Sequence, residues 1–277
     1  MRPMTIHRLL LLSLPALLVA ACGGGAAEPS SGDALAPMDA EIATTAAVTR
    51  GSVPSAPGAT QVVFSGHVFH VRTDTGGPGP NTWSAQNVWV DAKGQLHLKI
   101  SNQGGQWSCA EVYSDEALGF GTYQFKIAGH PETLDDNIVL GLFNYPTPDI
   151  GPDGTNEIDI EFATWGGAQP QHGNWTVWPA AAGPSQSTHS FNPLTSNGSS
   201  THKFVWSSKK IQFGAAPAAR ASASWTFAPA NSAQLVPQHA MPLHMNFWLF
   251  QGNAPVNAQE AEIVVASFTF TPAKANK

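Results

Sequence analysis

Between Gln61 and Thr271 the chain is a succession of short runs rich in Val, Ile, Phe, Trp and Thr, separated by clusters of Gly, Pro, Asn and Asp. Such runs bounded by turn residues predict strands. They fall at Gln61–Val71, Asn87–Val90, Gln95–Ser101, Thr122–Ala128, Asn137–Tyr145, Glu157–Thr164, Asn174–Trp178, His202–Ser207, Lys210–Phe213, His244–Gln251 and Ala261–Thr271. Roughly a dozen strands, no helix longer than a turn or two and no internal repeat predict an all-β fold, a two-sheet antiparallel sandwich of jelly-roll type.

Composition narrows the function classes. Only 12% of the 277 residues are charged, while there are 26 Gly, 22 Pro and nine Trp, so the Glu, Lys and Arg that coat helical surfaces are scarce. Lys and Arg total 13 against 19 Asp and Glu and do not cluster, so nucleic acid is not an expected partner. The N-terminus reads as an export signal: Arg2, His7 and Arg8 precede the apolar run Leu9–Val19, which is too short to span a bilayer. Small residues then lead into Cys22, as in the lipobox of bacterial lipoproteins. The expectation is a signal peptide over residues 1–21 and lipidation of Cys22, anchoring the protein in the cell envelope, with the outer membrane favoured by Gly23. Loss of Arg2 and Arg8 takes the formal charge from −6 to −8. Residues 22–59, rich in Gly, Ala, Ser, Thr and Pro, read as a flexible tether, and residues 60–273 as one domain, expected as a monomer. Cys109, then the sole other thiol, reads as a small buried apolar residue.

The chemistry concentrates in Asn156-Glu157-Ile158-Asp159-Ile160-Glu161-Phe162. On a strand, Glu157, Asp159 and Glu161 share one face while Ile158, Ile160 and Phe162 share the other. Acidic residues are poor strand formers, like charges repel, and no Lys or Arg occurs between Ile127 and His202 to offset them. Three readings stand: a solvated outer face, an oxygen-ligand calcium site, or a catalytic carboxylate pair. Calcium ligands are usually gathered by a loop that wraps the ion. For catalysis, the Cα atoms of Glu157 and Glu161 are about 13 Å apart on a straight strand. If both side chains lean over the shorter Asp159, their carboxyls approach the ~5–5.5 Å of retaining glycoside hydrolysis.

The segment Glu157–Phe162 resembles the E-[IL]-D-[IFV]-E-[FL] signature of glycoside hydrolase family 16, which includes lichenases, laminarinases, agarases and xyloglucan endotransglycosylases. Ser108–Ile127, Gly141–Tyr145, Ser200–Phe213, Met245–Trp248 and Ala261–Thr271 also resemble that family's stretches, in its order. The resemblance implies a curved jelly roll with a sugar-binding cleft on its concave face. It also implies Glu157 as nucleophile, Glu161 as general acid/base and Asp159 as the assisting carboxylate. Asn246 and Trp248 match the family's sugar contacts. Strand alternation adds Phe143 with Tyr145, and Glu111 with Tyr113 and Trp107, as candidate substrate-binding faces, since sugar rings need flat apolar patches ringed by polar groups.

Departures shape the substrate expectation. Tyr113 stands where lichenases carry Arg, and Thr155 where they carry Trp. The compact E-x-D-x-E form resembles that of lichenases and xyloglucan enzymes rather than the longer E-x-D-x-x-E of laminarinases and agarases, which implies a β-1,3-1,4- or β-1,4-glucan. Ala266 stands where the family's structural calcium finds an Asp on the last strand, so no metal or cofactor is expected. A non-catalytic polysaccharide binder and a transglycosylase using the same carboxylates are the competing functions.

Overall fold

The computed structural model describes residues 51–217 and 223–274; the signal segment, Cys22 and most of the tether lie outside these residues. The chain runs through β1 (Gln61–Phe64), β2 (His67–Val71), β3 (Thr75–Gly76), β4 (Asn81–Thr82), β5 (Val88–Val90) and β6 (Leu96–Gln103). It continues with β7 (Gln106–Ser108), β8 (Ala110–Leu118), β9 (Gly121–Ala128), β10 (Ile138–Asn144), β11 (Ile158–Phe162) and β12 (Gly173–Val177). It closes with β13 (Ser187–Phe191), β14 (Ser199–Trp206), β15 (Ile211–Pro217), β16 (Ala223–Phe227), α1 (Ser232–Leu235), β17 (Met241–Leu249) and β18 (Ala261–Pro272).

Two antiparallel sheets face each other. The first has the order β1-β2-β8-β17-β10-β11-β12-β13 and the second β16-β15-β14-β9-β18-β6-β5. Between them lies one apolar core, with Leu140, Leu142, Ile158, Ile160, Phe162 and Trp175 from the first sheet meeting Tyr123, Phe125, Phe204, Phe213 and Phe268 from the second. Each such fully buried side chain contributes about 1.5–3 kcal/mol. β11 sits inside the first sheet, laddered on both edges, so its register is set twice.

Three features differ from the sequence expectation. The run Gln61–Val71 is a hairpin, because Ser65 and Gly66 both have positive φ (52° and 86°), as a two-residue turn between right-twisted strands requires. The domain begins before residue 60: Val53 bridges Val63, and the Ser55 and Gly58 amides donate to Val90 and Ala85 carbonyls. Strands β13 and β16 lie outside the expected runs: STHSF has a single apolar residue, while ASWTF alternates Ala, Trp and Phe with Ser and Thr; both are outer strands of their sheets.

His202 is wholly buried on β14, edge-on to Phe162 at 4.7 Å. Its Nε2 is 2.8 Å from Ser200 Oγ, while Nδ1 has no partner. Burial pushes its pKa down to about 3 from 6.5. The unfolded chain therefore binds a proton that the folded one refuses, so this contribution to stability is full above pH 6.5 and lost as pH falls toward 3, by about 1.4 kcal/mol per pH unit. Replacement His202→Leu is expected to flatten that part of the acid-denaturation profile, measured by urea unfolding at pH 4, 5, 6 and 7.

Candidate active site

β11 divides its residues as alternation demands. Ile158, Ile160 and Phe162 are fully buried in the core, and Glu157, Asp159 and Glu161 point away from it. Glu157 precedes the strand proper, yet its carbonyl accepts from the Trp178 amide at 2.9 Å, so the β11–β12 ladder carries on through it. Asn156, just before it, adopts a left-handed conformation (φ 54°), which Asn tolerates better than most residues. Its amide donates to Pro179 O and its side chain to Ala180 O, fixing the direction in which the chain enters the strand.

Pairing registers extend the carboxylate face across the sheet. Glu161 lies opposite Gly141 and Asn174; Gly141 lies opposite Asn246, and Asn246 opposite Glu111. In the next row Asp159 lies between Thr176 and Phe143, followed by His244, Tyr113 and His70. This is the outer face of a sheet, but Asp159, Asn174, Thr176, Glu111 and Asn246 are only 1–5% exposed. Outward-facing polar groups so deeply covered lie at the bottom of a trough.

The carboxylates act on one another. Glu157 is pushed above the ordinary carboxylate range by burial and by the charges of Glu161, Asp153 and Glu111, against a hydrogen bond from Asp159 that lowers it. Asp159 is raised as well, by burial, by the Glu157 charge and by that same hydrogen bond, while a Trp178 Nε1–H bond to Oδ2 at 3.0 Å works the other way. The two carboxyls therefore titrate as one pair that shares a hydrogen bond and resists carrying two charges at once. Glu161 is raised by burial and by the Asp159 charge, the condition of a general acid near neutral pH.

The predicted binding residues divide. Tyr145 continues β10 past its end and donates its hydroxyl to Asp153. Phe143 and Tyr113 lie on the trough face, beside His244. Glu111 is a buried brace, accepting from Arg72 Nη1 at 2.9 Å and paired with His244 Nδ1 at 2.9 Å. Trp248 is 6% exposed, near Trp165 and Phe250. Asn246 keeps a buried Oδ1 without a hydrogen-bond partner. Trp107 corrects the alternation count: it sits on β7, which pairs with β6 of the second sheet, because the chain changes sheets at Cys109. That cysteine is buried, its thiol pushed up to about 12 by desolvation and bonded to Asn81 Oδ1 at 3.3 Å. Reasoning from sequence passed over Arg72, Gly141, Asp153, Asn156, Trp178 and His244. Alternation along the expected strand Asn174–Trp178 puts Trp178 on the face of Asn174 and Thr176, and a Gly within the apolar run Ile138–Phe143 marks a close approach.

Among the described residues no group of three His, Cys, Asp or Glu side chains is arranged to hold a metal ion, and Ala266 lies at the register shift of β18.

A two-sheet antiparallel jelly roll with three coupled carboxylates in a trough on one outer face describes a carbohydrate-active class of protein. Residues 80–264 match the family described as glycosyl hydrolases family 16, and the chain belongs to that family. No curated protein matches the chain. Among solved structures it is similar to the Bacillus licheniformis β-glucanase, at 19% identity and TM-score 0.56, over 80% of this chain and 99% of that one. It is similar to a prokaryotic β-1,3-1,4-glucanase (lichenase) from a mouse hindgut metagenome, at 17% identity and TM-score 0.58, over 80% and 100%. A third similar structure is an immunostimulatory antigen and pseudo β-1,3-glucanase of Mycobacterium tuberculosis, at 17% identity and TM-score 0.60, over 82% and 98%. At these identities the likeness is one of fold.

Gly141 leaves the space between Glu161 and Asn246: a Cβ there would overlap Asn246 Oδ1. Gly141→Ala is expected to destabilise by about 1–3 kcal/mol through overpacking, with Asn246→Ala in the same chain restoring part of the loss, as measured by a denaturant double-mutant cycle.

Proposed function

We propose that the chain is a retaining, endo-acting glycoside hydrolase that cleaves a β-glucan of the β-1,3-1,4 or β-1,4 type by double displacement. The observation that carries this reading is the three-carboxylate row on one strand: Glu157 and Asp159 share a hydrogen bond and between them keep a negative charge, while burial first and that charge second drive Glu161 toward its protonated form. In the first step Glu157 attacks the anomeric carbon while Glu161 gives its proton to the departing glycosidic oxygen, so a glycosyl ester forms as the glycosidic bond breaks. Esterification removes the Glu157 charge, and Glu161 then takes a proton from the water that attacks the same carbon and releases Glu157. Asp159 orients the nucleophile throughout, itself held by Trp178. Transfer to a second sugar in place of water uses the same groups, and a pseudo-enzyme among the similar folds makes a non-catalytic binder the rival from another class.

The expected outcome with barley β-glucan, lichenan, cellulose derivatives and xyloglucan is release of reducing ends from at least one, with the new anomeric centre initially β by proton NMR. Binding without cleavage across the panel would establish the rival. Glu157→Gln is expected to abolish turnover and at the same time raise the melting temperature. A carboxyl whose folded pKa lies above its unfolded value loses stability as pH rises through that interval, so a neutral isostere relieves the chain at pH 7. For the same reason both limbs of the kcat/KM–pH profile are expected above the ordinary carboxylate range, the acid limb from the Glu157–Asp159 pair and the alkaline limb from Glu161.

The place of action is part of the proposal: an exported lipoprotein held in the cell envelope, outer membrane favoured, through Cys22. Cys22→Ser is expected to move the protein from the detergent phase to the aqueous phase in Triton X-114 partitioning of cells expressing the full chain; unchanged partitioning would remove the anchor.

A further inference from the structure

The row that contains Asp159 runs on through Phe143, His244, Tyr113 and His70, across β10, β17, β8 and β2. His244 sits where the β17–β8 pairing shifts register after Pro242, and bulges of this kind re-aim side chains beside active sites. Its ring is fixed on several sides: stacked against Tyr113 at 5.5 Å, and 5.1 and 5.6 Å from Phe143 and Tyr145. Nδ1 faces Glu111 Oε1 at 2.9 Å. Glu111 is held in turn by Arg72, whose guanidinium also bonds Asp74 and the Gly77 carbonyl and lies 4.5 Å over Trp83. A carboxylate acceptor assigns the proton to Nδ1, which makes Nε2 of the neutral ring an acceptor. Among the described residues Nε2 has no hydrogen-bond partner, and it is not one of the buried unpartnered atoms, so it faces the open trough.

We propose that His244 is a specificity-determining contact of this site, its Nε2 accepting a hydrogen bond from a hydroxyl of a neutral sugar bound beside Asp159. This rests on the hydrolase reading and deepens it to a substrate class. The surroundings favour an uncharged chain: Glu111, Asp153 and Glu157 all bear on Tyr145 next to the ring, and the Arg72 cation is already engaged by Asp74 and Glu111. Uronates and sulfated sugars would meet like charge there.

The test is calorimetric titration of Glu157→Gln protein with a β-1,3-1,4-linked glucotetraose and its singly deoxygenated forms. One deoxygenated form is expected to bind about tenfold more weakly than the intact sugar, the range of one hydrogen bond left unmade. In Glu157→Gln/His244→Phe, which keeps the stacked ring without the acceptor, that discrimination is expected to vanish. His244→Gln, which retains an acceptor, is expected to restore part of it, and it stands in if the Phe variant fails to fold by circular dichroism. Persistence of the discrimination in the Phe variant, or its absence from the His244 protein, would overturn the role of His244 while leaving the hydrolase reading in place. Failure of the His244 protein to bind any of the glucan tetrasaccharides would overturn the β-glucan reading itself. Equal binding of a glucuronate-containing tetrasaccharide would overturn the neutral-sugar preference.

Discussion

The period-two alternation of β11 is the constraint on which the site depends. Ile158, Ile160 and Phe162 are seated in the core, and both edges of the strand are laddered, to β10 and to β12. A slip of one residue would exchange the two faces and put three acids into the core, so apolar burial fixes the carboxylates without any contact to them. The same pinning explains how they tolerate one another. Carboxylates crowded in a covered trough are each driven toward protonation, and the strand holds them there because its apolar half resists any displacement that would separate them.

The trough is chemically lopsided on either side of that strand. Toward β13 the face carries small polar groups: Asn174 accepts from Ser190 at 3.0 Å, and Thr176 and Thr188 hydroxyls meet at 3.2 Å. Toward β2 it carries rings, which pack face to face across the strands at interplanar angles of 19° and 23°. Rings stacked in this way present edges, so on that side the polar atoms at the edges decide which sugars fit. Phe143 and Trp248, expected as faces for the sugar, are 9% and 6% exposed.

What was legible in the sequence followed local rules. The carboxylate face, the apolar face and the position of Asn246 follow from alternation within single strands, and the sandwich from repeated short apolar runs. What was not legible depended on where the chain changes sheet. Trp107 keeps the right parity with Glu111 and Tyr113, but β7 and β8 belong to different sheets, and alternation carries no information across such a crossing. Arg72 and Asp153 lie beyond the ends of their neighbouring strands, where no periodicity applies, and His244 had the right parity but no partner in sequence to give it a task.

Glu111 shows how one acid organises this side of the site. Tyr stands at position 113, and the cation facing this acid is Arg72, just past the end of β2, through a bond of 2.9 Å. The Tyr113 ring stacks on His70 and His244. Glu111, braced by Arg72, then holds His244 by Nδ1, and the imidazole rather than the acid meets the trough. A buried carboxylate between two donors is a stable arrangement, since each of its oxygens is bonded and its charge is matched. The polar edge on this side of the trough is therefore carried by β17, two strands from the carboxylates.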